Sequence, residues 1–168
     1  AAVPIPGGNP NNRGVTCVYT GDTATVTTLG SMTVSTLAPG GGVNLSATGT
    51  DDINWFSTAG TVTGGAQTNG PVIEAITQAG VINLNTAGVT GSNATVTHGI
   101  RAVSTSGTIN INATGTVSAT NSTSGQYGIE AITGGAINIT TATVTAARNG
   151  IFARSTSAGD VTLTTGAV

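Results

Sequence analysis

The chain has 168 residues, enough for one domain, and carries a formal net charge of −2. Charged residues make up 6% of it and aromatic residues 3%, whereas ordinary globular proteins have about 25% charged residues. This composition excludes the basic surface that binds nucleic acid or anionic membranes, and the abundance of β-branched threonine and valine favours strands over helices.

The N-terminal segment, residues 1–41, opens on the proline- and glycine-rich stretch AAVPIPGGNPNN, which predicts an extended start. This stretch resembles the N-terminus left by a signal peptidase, so we expect a mature exported chain. Strands are predicted at Val15–Val18, Thr23–Leu29 and Met32–Leu37, where they would cap the first coil of a solenoid. Cys17, the one cysteine, lies in this cap and is predicted to be a small buried residue, with an intermolecular disulfide as the alternative.

Residues 42–168 contain four stretches that share one sequence pattern. Each has a short apolar strand, a glycine corner, a strand of alternating polarity and a third strand centred on valine. The stretches are Val72–Thr90, Gly99–Ser118, Gly128–Thr145 and Gly150–Val168. Alignment gives spacings of 27, 29 and 22 residues between Ala75, Ala102, Ala131 and Ala153. Units of this size bury a hydrophobic face only by stacking on their neighbours. The sequence therefore predicts an all-β fold, a right-handed parallel β-helix (β-solenoid) with three short strands per coil and an N-terminal cap.

Alternation along the second and third strands predicts which side chains face the core. The inward columns are predicted to be Val43, Ile82, Ile109, Ile137 and Val161; Leu45, Leu84, Ile111, Ile139 and Leu163; and Val62, Val89, Val117, Val144 and Val168. The outward columns of the second strand are predicted to be Asn44, Asn83, Asn110, Asn138 and Thr162, and Ser46, Asn85, Asn112, Thr140 and Thr164.

The first strand places charges of alternating sign at one position, namely Glu74, Arg101 and Glu130, with Phe152 next. Coils about 4.8 Å apart would bring these side chains into contact. We predict a structural ladder here that marks the register of the coils.

Coil length varies mainly at one corner, in the inserts Gly64–Pro71, Gly91–His98, Ala119–Tyr127 and Ala146–Asn149. All would rise from the same edge, and loops on a rigid scaffold are common binding sites. Glycine-rich spots are predicted to be corners that need positive φ; they are Gly40–Gly42, Gly64–Gly65 and Gly134–Gly135.

No residue cluster in the sequence predicts catalysis, a metal site or a cofactor site. The adjacent carboxylates Asp51 and Asp52 would point opposite ways in a strand and have no nearby base, so a solvated loop is the interpretation. His98, the one histidine, sits at a corner and is predicted to be an exposed turn residue. We therefore expect a protein that is not an enzyme and has no cofactor.

Aromatic residues are the candidates for an exposed binding surface. Trp55 and Phe56 are consecutive, so they cannot both face the core of one straight strand. Either one is exposed and binds sugar or protein, or both plug the junction between the cap and the coils. Tyr127 is a third candidate, at the end of an insert.

With the repeats laid out, the chain resembles the passenger region of bacterial autotransporter adhesins. The resemblance rests on GIxA-type first strands, [VI]-N-[LI] second strands, Thr-Val-Thr third strands and the cap-like opening GVTCVYTGDTATVTTLG. It implies export through an outer-membrane barrel, display or release at the cell surface, and roles in adhesion, autoaggregation and biofilm. The chain departs from this family in containing no translocator barrel, so it would be a released or trimmed passenger or a different protein built from the same kind of coil.

Three hypotheses of function follow from the sequence. The first is a non-enzymatic, secreted or surface-displayed solenoid that acts as a stalk and binds a surface protein or glycan of a host or neighbouring cell. The second is a subunit of an extracellular filament, in which copies stack head to tail. The third is ice binding through columns of threonine, of which one is interrupted by Gly88. The columns contain Thr61 and Thr63, Thr116 and Ser118, and Thr143 and Thr145. None of these hypotheses involves nucleic acid or membrane insertion by this chain.

Overall fold

The described part of the chain consists of strands joined by short connections and contains no helix. The computed structural model describes residues 2–4, 15–21, 23–28, 30, 32–34, 42–64, 70–91, 96–120 and 127–168. The N-terminal strands are β1 (Ala2–Pro4), β2 (Val15–Tyr19), β3 (Ala24–Thr27) and β4 (Met32–Val34). They are followed by β5 (Val43–Ala47), β6 (Ile53–Gly64), β7 (Ile73–Thr77), β8 (Ile82–Gly91), β9 (His98–Ser104), β10 (Ile109–Ala119), β11 (Tyr127–Thr133), β12 (Ile137–Ala146), β13 (Asn149–Ser155) and β14 (Val161–Ala167).

The strands form two parallel sheets, which we call sheet A and sheet B. Sheet A has eight strands in the order β1-β3-β6-β8-β10-β12-β14, with β4 also paired with β6. Sheet B has six strands in the order β13-β11-β9-β7-β5-β2. Odd and even strands alternate between the sheets from β5 onward, so each coil contributes one strand to each sheet. The prediction of an all-β parallel β-solenoid is confirmed; its right-handed sense stays a prediction.

From β6 onward, the second and third strands of each coil are continuous, which differs from the prediction of three separate strands. In β10, pairing with β12 shifts register between Ala113 and Thr116. Here Gly115 lies so close to Ala87 that a Cβ atom would overlap the Ala87 carbonyl oxygen. The bend is therefore made by small residues and a register irregularity within one strand, and no separate corner is needed.

The predicted inward columns form the core, with Ile109 in register with both Ile82 and Ile137. All three side chains are completely buried, and burial contributes about 1.5–3 kcal/mol for each aliphatic side chain. The valine column is also confirmed for Val62, Val89, Val117 and Val144, which are in register and buried.

The last coil differs from this pattern. Val161 and Leu163 pair with Ile137 and Ile139 as predicted, yet they are 43% and 49% exposed, and Val168 is 68% exposed. Since β14 is the outermost strand of sheet A, these residues are covered on one side only. The prediction that Val168 fills the core is wrong for this chain.

The prediction that Val43 and Leu45 belong to a second strand is wrong. Val43 and Leu45 pair with Ile73 and Ala75 in sheet B, so β5 is a first strand, not a second strand as predicted. The second-strand positions belong to Ile53 and the residues after it, because Ile53 is in register with Ile82. The outward columns therefore begin at Asn54 and Phe56, and Asn44 and Ser46 lie on the outer side of sheet B.

The N-terminal strands continue both sheets. β2 pairs in parallel with β5, β3 with the first half of β6, and β4 with its second half. Their pairing extends both sheets toward the N-terminus, and the predicted boundary between residues 41 and 42 stays a prediction. Cys17 is half-buried, pairs with Leu45 and packs against the core.

Glycines at the corner between the sheets have a different role from the predicted one. Gly42, Gly134 and Gly135 do not have positive φ, which occurs instead at Gly21, Gly49 and Gly70; residues 40, 41 and 65 lie outside the described residues. The reason for glycine at the corner is close approach between coils. A Cβ atom added to any of four corner glycines would overlap a carbonyl group of the preceding coil. These glycines are Gly80, Gly107, Gly135 and Gly159.

A column of hydroxyl groups closes the same corner. Thr77 Oγ1 donates to the Asp51 carbonyl oxygen at 3.0 Å. Ser104 Oγ donates to the Gly80 carbonyl oxygen at 3.3 Å, and Thr133 Oγ1 donates to the Gly107 carbonyl oxygen at 2.5 Å. These side chains are buried, and their hydrogen bonds satisfy backbone oxygens that face the interior.

The predicted common edge for the inserts is confirmed at the residues that flank them. Gly64, Gly91, Ala119 and Ala146 are in register at the ends of β6, β8, β10 and β12. The chain returns to sheet B from this edge each time. Residues 65–69, 92–95 and 121–126 of the inserts lie outside the described residues.

Candidate functional site

The predicted charge ladder lies on the outer side of sheet B. Arg101 is in register with Glu74 on one side and Glu130 on the other. Its Nη1 donates to Glu74 Oε1 at 2.7 Å and its Nε to Glu130 Oε2 at 2.8 Å. The predicted ladder is confirmed, and one guanidinium ties three coils together through charge-assisted hydrogen bonds.

Two effects act on the pKa of Arg101. Partial burial lowers it, but the hydrogen bonds to Glu74 and Glu130 outweigh burial and leave the pKa above its ordinary value. The guanidinium is therefore charged at neutral pH.

His98 is buried beside this ladder, which contradicts the prediction of an exposed turn residue. It is the first residue of β9 and only 8% exposed. Its Nε2 lies 3.6 Å from Glu130 Oε2, and its Nδ1 lies 2.9 Å from Thr97 Oγ1. The burial comes from the next coil, because Tyr127 is in register with His98 and its ring centroid lies 5.7 Å from the imidazole.

The aromatic contact extends one coil further. The ring of Tyr127 stacks on Phe152 with a centroid distance of 4.9 Å and an interplanar angle of 26°. Tyr127 is half-buried in this stack, so its ring supports the coils beside Glu130. The role of Tyr127 as an exposed binding residue stays a prediction, and the exposed surface of its side chain is smaller than expected.

Burial is the main influence on the pKa of His98 and lowers it from the ordinary value of 6.5. The Glu130 carboxylate opposes this effect, Arg101 adds to it, and the more distant Glu74 opposes it weakly. The folded protein therefore holds His98 in the neutral form at neutral pH.

This pKa shift predicts acid destabilisation that depends on His98. Because the folded-state pKa lies below that of the unfolded chain, the unfolded chain binds more protons as pH falls from above 6.5 toward the folded value. The free energy of unfolding should decrease across this window, by at most about 1.4 kcal/mol per pH unit for one proton. Urea unfolding at a series of pH values measures this slope.

A His98→Gln variant is the control for that experiment. It keeps a polar side chain but cannot titrate, so its stability should vary less with pH between 7.5 and 5 than that of the wild type. The slopes are compared, because the variant also loses the contact with Tyr127. Parallel pH curves for the two proteins would contradict the prediction.

The outer side of sheet A carries a ladder of asparagine amides. Nδ2 of each side chain donates to Oδ1 in the coil before it, at 2.8 Å from Asn83 to Asn54, 2.8 Å from Asn110 to Asn83 and 2.9 Å from Asn138 to Asn110. The outward asparagine column is thus confirmed, except for its first member. Ladders of this kind add hydrogen bonds between stacked strands.

Trp55 and Phe56 occupy opposite faces of β6. Trp55 is completely buried in register with Leu84, so the structure contradicts its selection as an exposed binding residue. Phe56 is 36% exposed and in register with Asn85 on the outer side of sheet A. The alternative that both rings plug a junction is also wrong, because Ile53–Ser57 is a regular strand in which only one ring faces inward.

The adjacent carboxylates hold backbone groups at the corner of the first coil. Asp51 Oδ2 accepts a hydrogen bond from the Gly21 amide at 2.6 Å, and Asp52 Oδ1 accepts one from the Val81 amide at 2.7 Å. Both are half-buried. Among the described residues, no group of three or more histidine, cysteine or acidic side chains is placed to hold a metal ion.

The threonine columns named for ice binding contain the expected gap. Thr61 is in register with Gly88, and Thr63 with Thr90. Gly88 is buried against Thr61, whose Oγ1 would lie 3.3 Å from an added Cβ. The ice-binding hypothesis stays a prediction that a thermal-hysteresis measurement tests.

The stack of His98, Tyr127 and Phe152 is not among the features predicted from the sequence. A signal was present, since all three lie at or near the starts of first strands in consecutive coils. The insert between His98 and Tyr127 hides this periodicity, because it changes the spacing before each first strand.

Comparison with known proteins gives no match: no family model fits the chain, and neither a curated protein nor a solved structure matches it. The resemblance to autotransporter passengers therefore stays a prediction. No helix in the described part of the chain is long and apolar enough to cross a membrane.

Proposed function

We propose that this chain is a non-enzymatic extracellular solenoid, secreted or displayed on a bacterial cell surface, that acts as a stalk and as a binding surface. Its partners in this proposal are surface proteins or glycans of a host or neighbouring cell. As an adhesin passenger, it would be the mature part of an exported protein.

The observation that carries the proposal is a side-chain ladder across the middle coils of each sheet. Asparagine amides link β6, β8, β10 and β12 on sheet A, and Arg101 links β7, β9 and β11 on sheet B. Hydrogen bonds between successive coils fix the register from β6 to β12, which favours a stiff rod over this part of the stack. The inserts leave this rod at one edge, an arrangement suited to presenting loops to a partner.

The contacts of the acidic side chains support a role without catalysis. Glu74 and Glu130 are held by Arg101, and Asp51 and Asp52 accept backbone hydrogen bonds at a corner. A general acid or base must reach a substrate proton, whereas these four carboxylates are occupied in contacts between coils.

Adhesion of coated beads tests the proposal. Beads carrying the folded chain should adhere to bacterial or host cells or cluster with one another, and beads carrying the heat-unfolded chain are the matched control. Equal adhesion of both preparations would contradict the proposal. So would hydrolysis of a polysaccharide by the purified chain.

Filament formation is a second candidate function, favoured by the exposure of β14. Val161 and Leu163 continue the inward columns in register but are about half exposed, so another coil would bury them. In this candidate function a second copy supplies that coil, which gives a heterologous contact that does not close. Sedimentation velocity over a range of concentrations should show growing assemblies, and a monomer at every concentration would contradict it.

A further inference from the structure

A groove runs along the outer side of sheet A, between the two outward columns of the second strands. Its volume is about 300 Å³. One wall is the amide ladder, represented by Asn83, Asn110 and Asn138, and the other contains Phe56, Asn85 and Asn112. Because both walls repeat once per coil, the groove offers similar groups at steps of about 4.8 Å.

The amides of the groove keep hydrogen-bonding capacity for a ligand. A carboxamide has two donor hydrogens and two acceptor lone pairs, and each contact within the ladder uses one donor and one lone pair. The hydrogen bond between amides of the second wall is longer, since Asn112 Nδ2 lies 3.4 Å from Asn85 Oδ1. Asn112 and Asn138 are exposed, so their remaining donors and acceptors reach solvent.

Phe56 adds an apolar surface at one end of the second wall. Its ring is 36% exposed and follows the same column as Asn85 and Asn112. A large apolar ring among amides gives a surface that is partly apolar and partly hydrogen-bonding, as binding sites for small polar ligands are. Sugar rings match this surface, because they have hydroxyl groups at the edge and C–H groups on the face.

The electrostatic character of the groove selects among sugars. Among the described residues, no charged side chain lines it, and the ladder of Glu74, Arg101 and Glu130 lies on the other sheet. A charged ligand would lose hydration in this groove without gaining an opposite charge. A neutral ligand with many hydroxyl groups fits the lining.

We infer that this groove binds a neutral, extended polysaccharide, with the sugar chain lying along the solenoid axis and one sugar ring placed on Phe56. Successive sugars then meet successive pairs of asparagine amides. The inference rests on the proposed function, because it names the partner class of the binding surface.

Affinity electrophoresis of the full chain tests the inference. The gels contain hydroxyethylcellulose, laminarin or galactomannan as neutral probes, and polygalacturonate as the charged probe. At least one neutral polysaccharide should retard the wild-type chain, and polygalacturonate should not. Phe56→Ala should weaken binding about tenfold through loss of the ring contact, and Asn112→Ala should also weaken it.

Ile76→Ala is the matched control, because Ile76 is 37% exposed on sheet B, close to the 36% of Phe56. It should bind like the wild type. Circular dichroism melting of each variant establishes whether that variant is folded. If Phe56→Ala does not fold, Asn112→Ala still tests the inference.

Several outcomes would overturn the inference. They are the absence of retardation by all neutral probes, retardation by polygalacturonate alone, and binding that neither Phe56→Ala nor Asn112→Ala weakens. A change in sedimentation coefficient caused by Phe56→Ala would assign the groove to contact between copies and would also overturn it. Adhesion of coated beads without binding of neutral polysaccharide would leave the proposed function standing and remove only this inference.

Discussion

Replacement of Gly107 by alanine is expected to destabilise the fold by about 3 kcal/mol or more, as in severe overpacking. An added Cβ at this position would overlap the carbonyl oxygen of Gly80, and that same oxygen accepts the hydrogen bond from Ser104 Oγ. The overlap involves backbone on both sides, so no side chain can move to relieve it. Two coils would have to separate at the corner, which would weaken the hydrogen bonds between their strands.

Gly30→Ala is the matched control for this experiment. Within the described part of the chain, no atom lies within 4 Å of a Cβ added at Gly30. The variant should therefore be neutral or slightly more stable, since alanine restricts the unfolded chain. Urea unfolding of both variants and the wild type gives the difference in the free energy of unfolding. Equal stabilities of the two variants would mean that the corners of successive coils do not touch.

The periodic parts of the fold could be predicted because one geometric rule governs them. Alternate side chains of a strand face opposite sides, and equivalent positions of successive coils lie in contact. This rule was sufficient to place Ile109 between Ile82 and Ile137, and Arg101 between Glu74 and Glu130. Such predictions depend only on local alternation and on the repeat, both of which are visible in the sequence.

Alternation could not decide which sheet a strand joins. The stretch Val43–Ala47 alternates in the same way as Ile82–Thr86. Alternation therefore predicts a second strand for both stretches, although Val43–Ala47 lies in sheet B. The spacing holds the information that was needed, since Ile53 precedes Ile82 by 29 residues and Val43 precedes it by 39. Only the first value lies within the range of the other coils. The same error hid Phe56 from the outward column and with it one wall of the groove.

Corners and inserts were predicted less well, because their environment comes from other coils. His98 was interpreted as a turn residue, but Tyr127 and Glu130 of the next coil cover it. Glycine at a corner is consistent with positive φ and with close approach of another backbone, since both require the absence of a Cβ atom. The sequence does not distinguish these two reasons, whereas the contact between Gly107 and Gly80 does.

Truncation of Ile109 to alanine is the second large effect that we expect, about 2–5 kcal/mol of lost stability. The side chain is completely buried between Ile82 and Ile137. Its removal would leave a cavity in the middle of the stack, where hydrogen bonds to the coils on both sides keep the strand from collapsing into the space. Chemical unfolding measured by circular dichroism gives the magnitude.

The same Ile→Ala change at Ile76 separates burial from the loss of strand preference. Both residues lie in strands, so the change in β-propensity is similar, but Ile76 is 37% exposed and points outward from β7. Ile76→Ala should therefore change stability by no more than about 0.5 kcal/mol. If the two variants lost equal stability, Ile109 could not occupy a dry interior, and the contact of equivalent aliphatic side chains between coils, on which the solenoid depends, would be refuted.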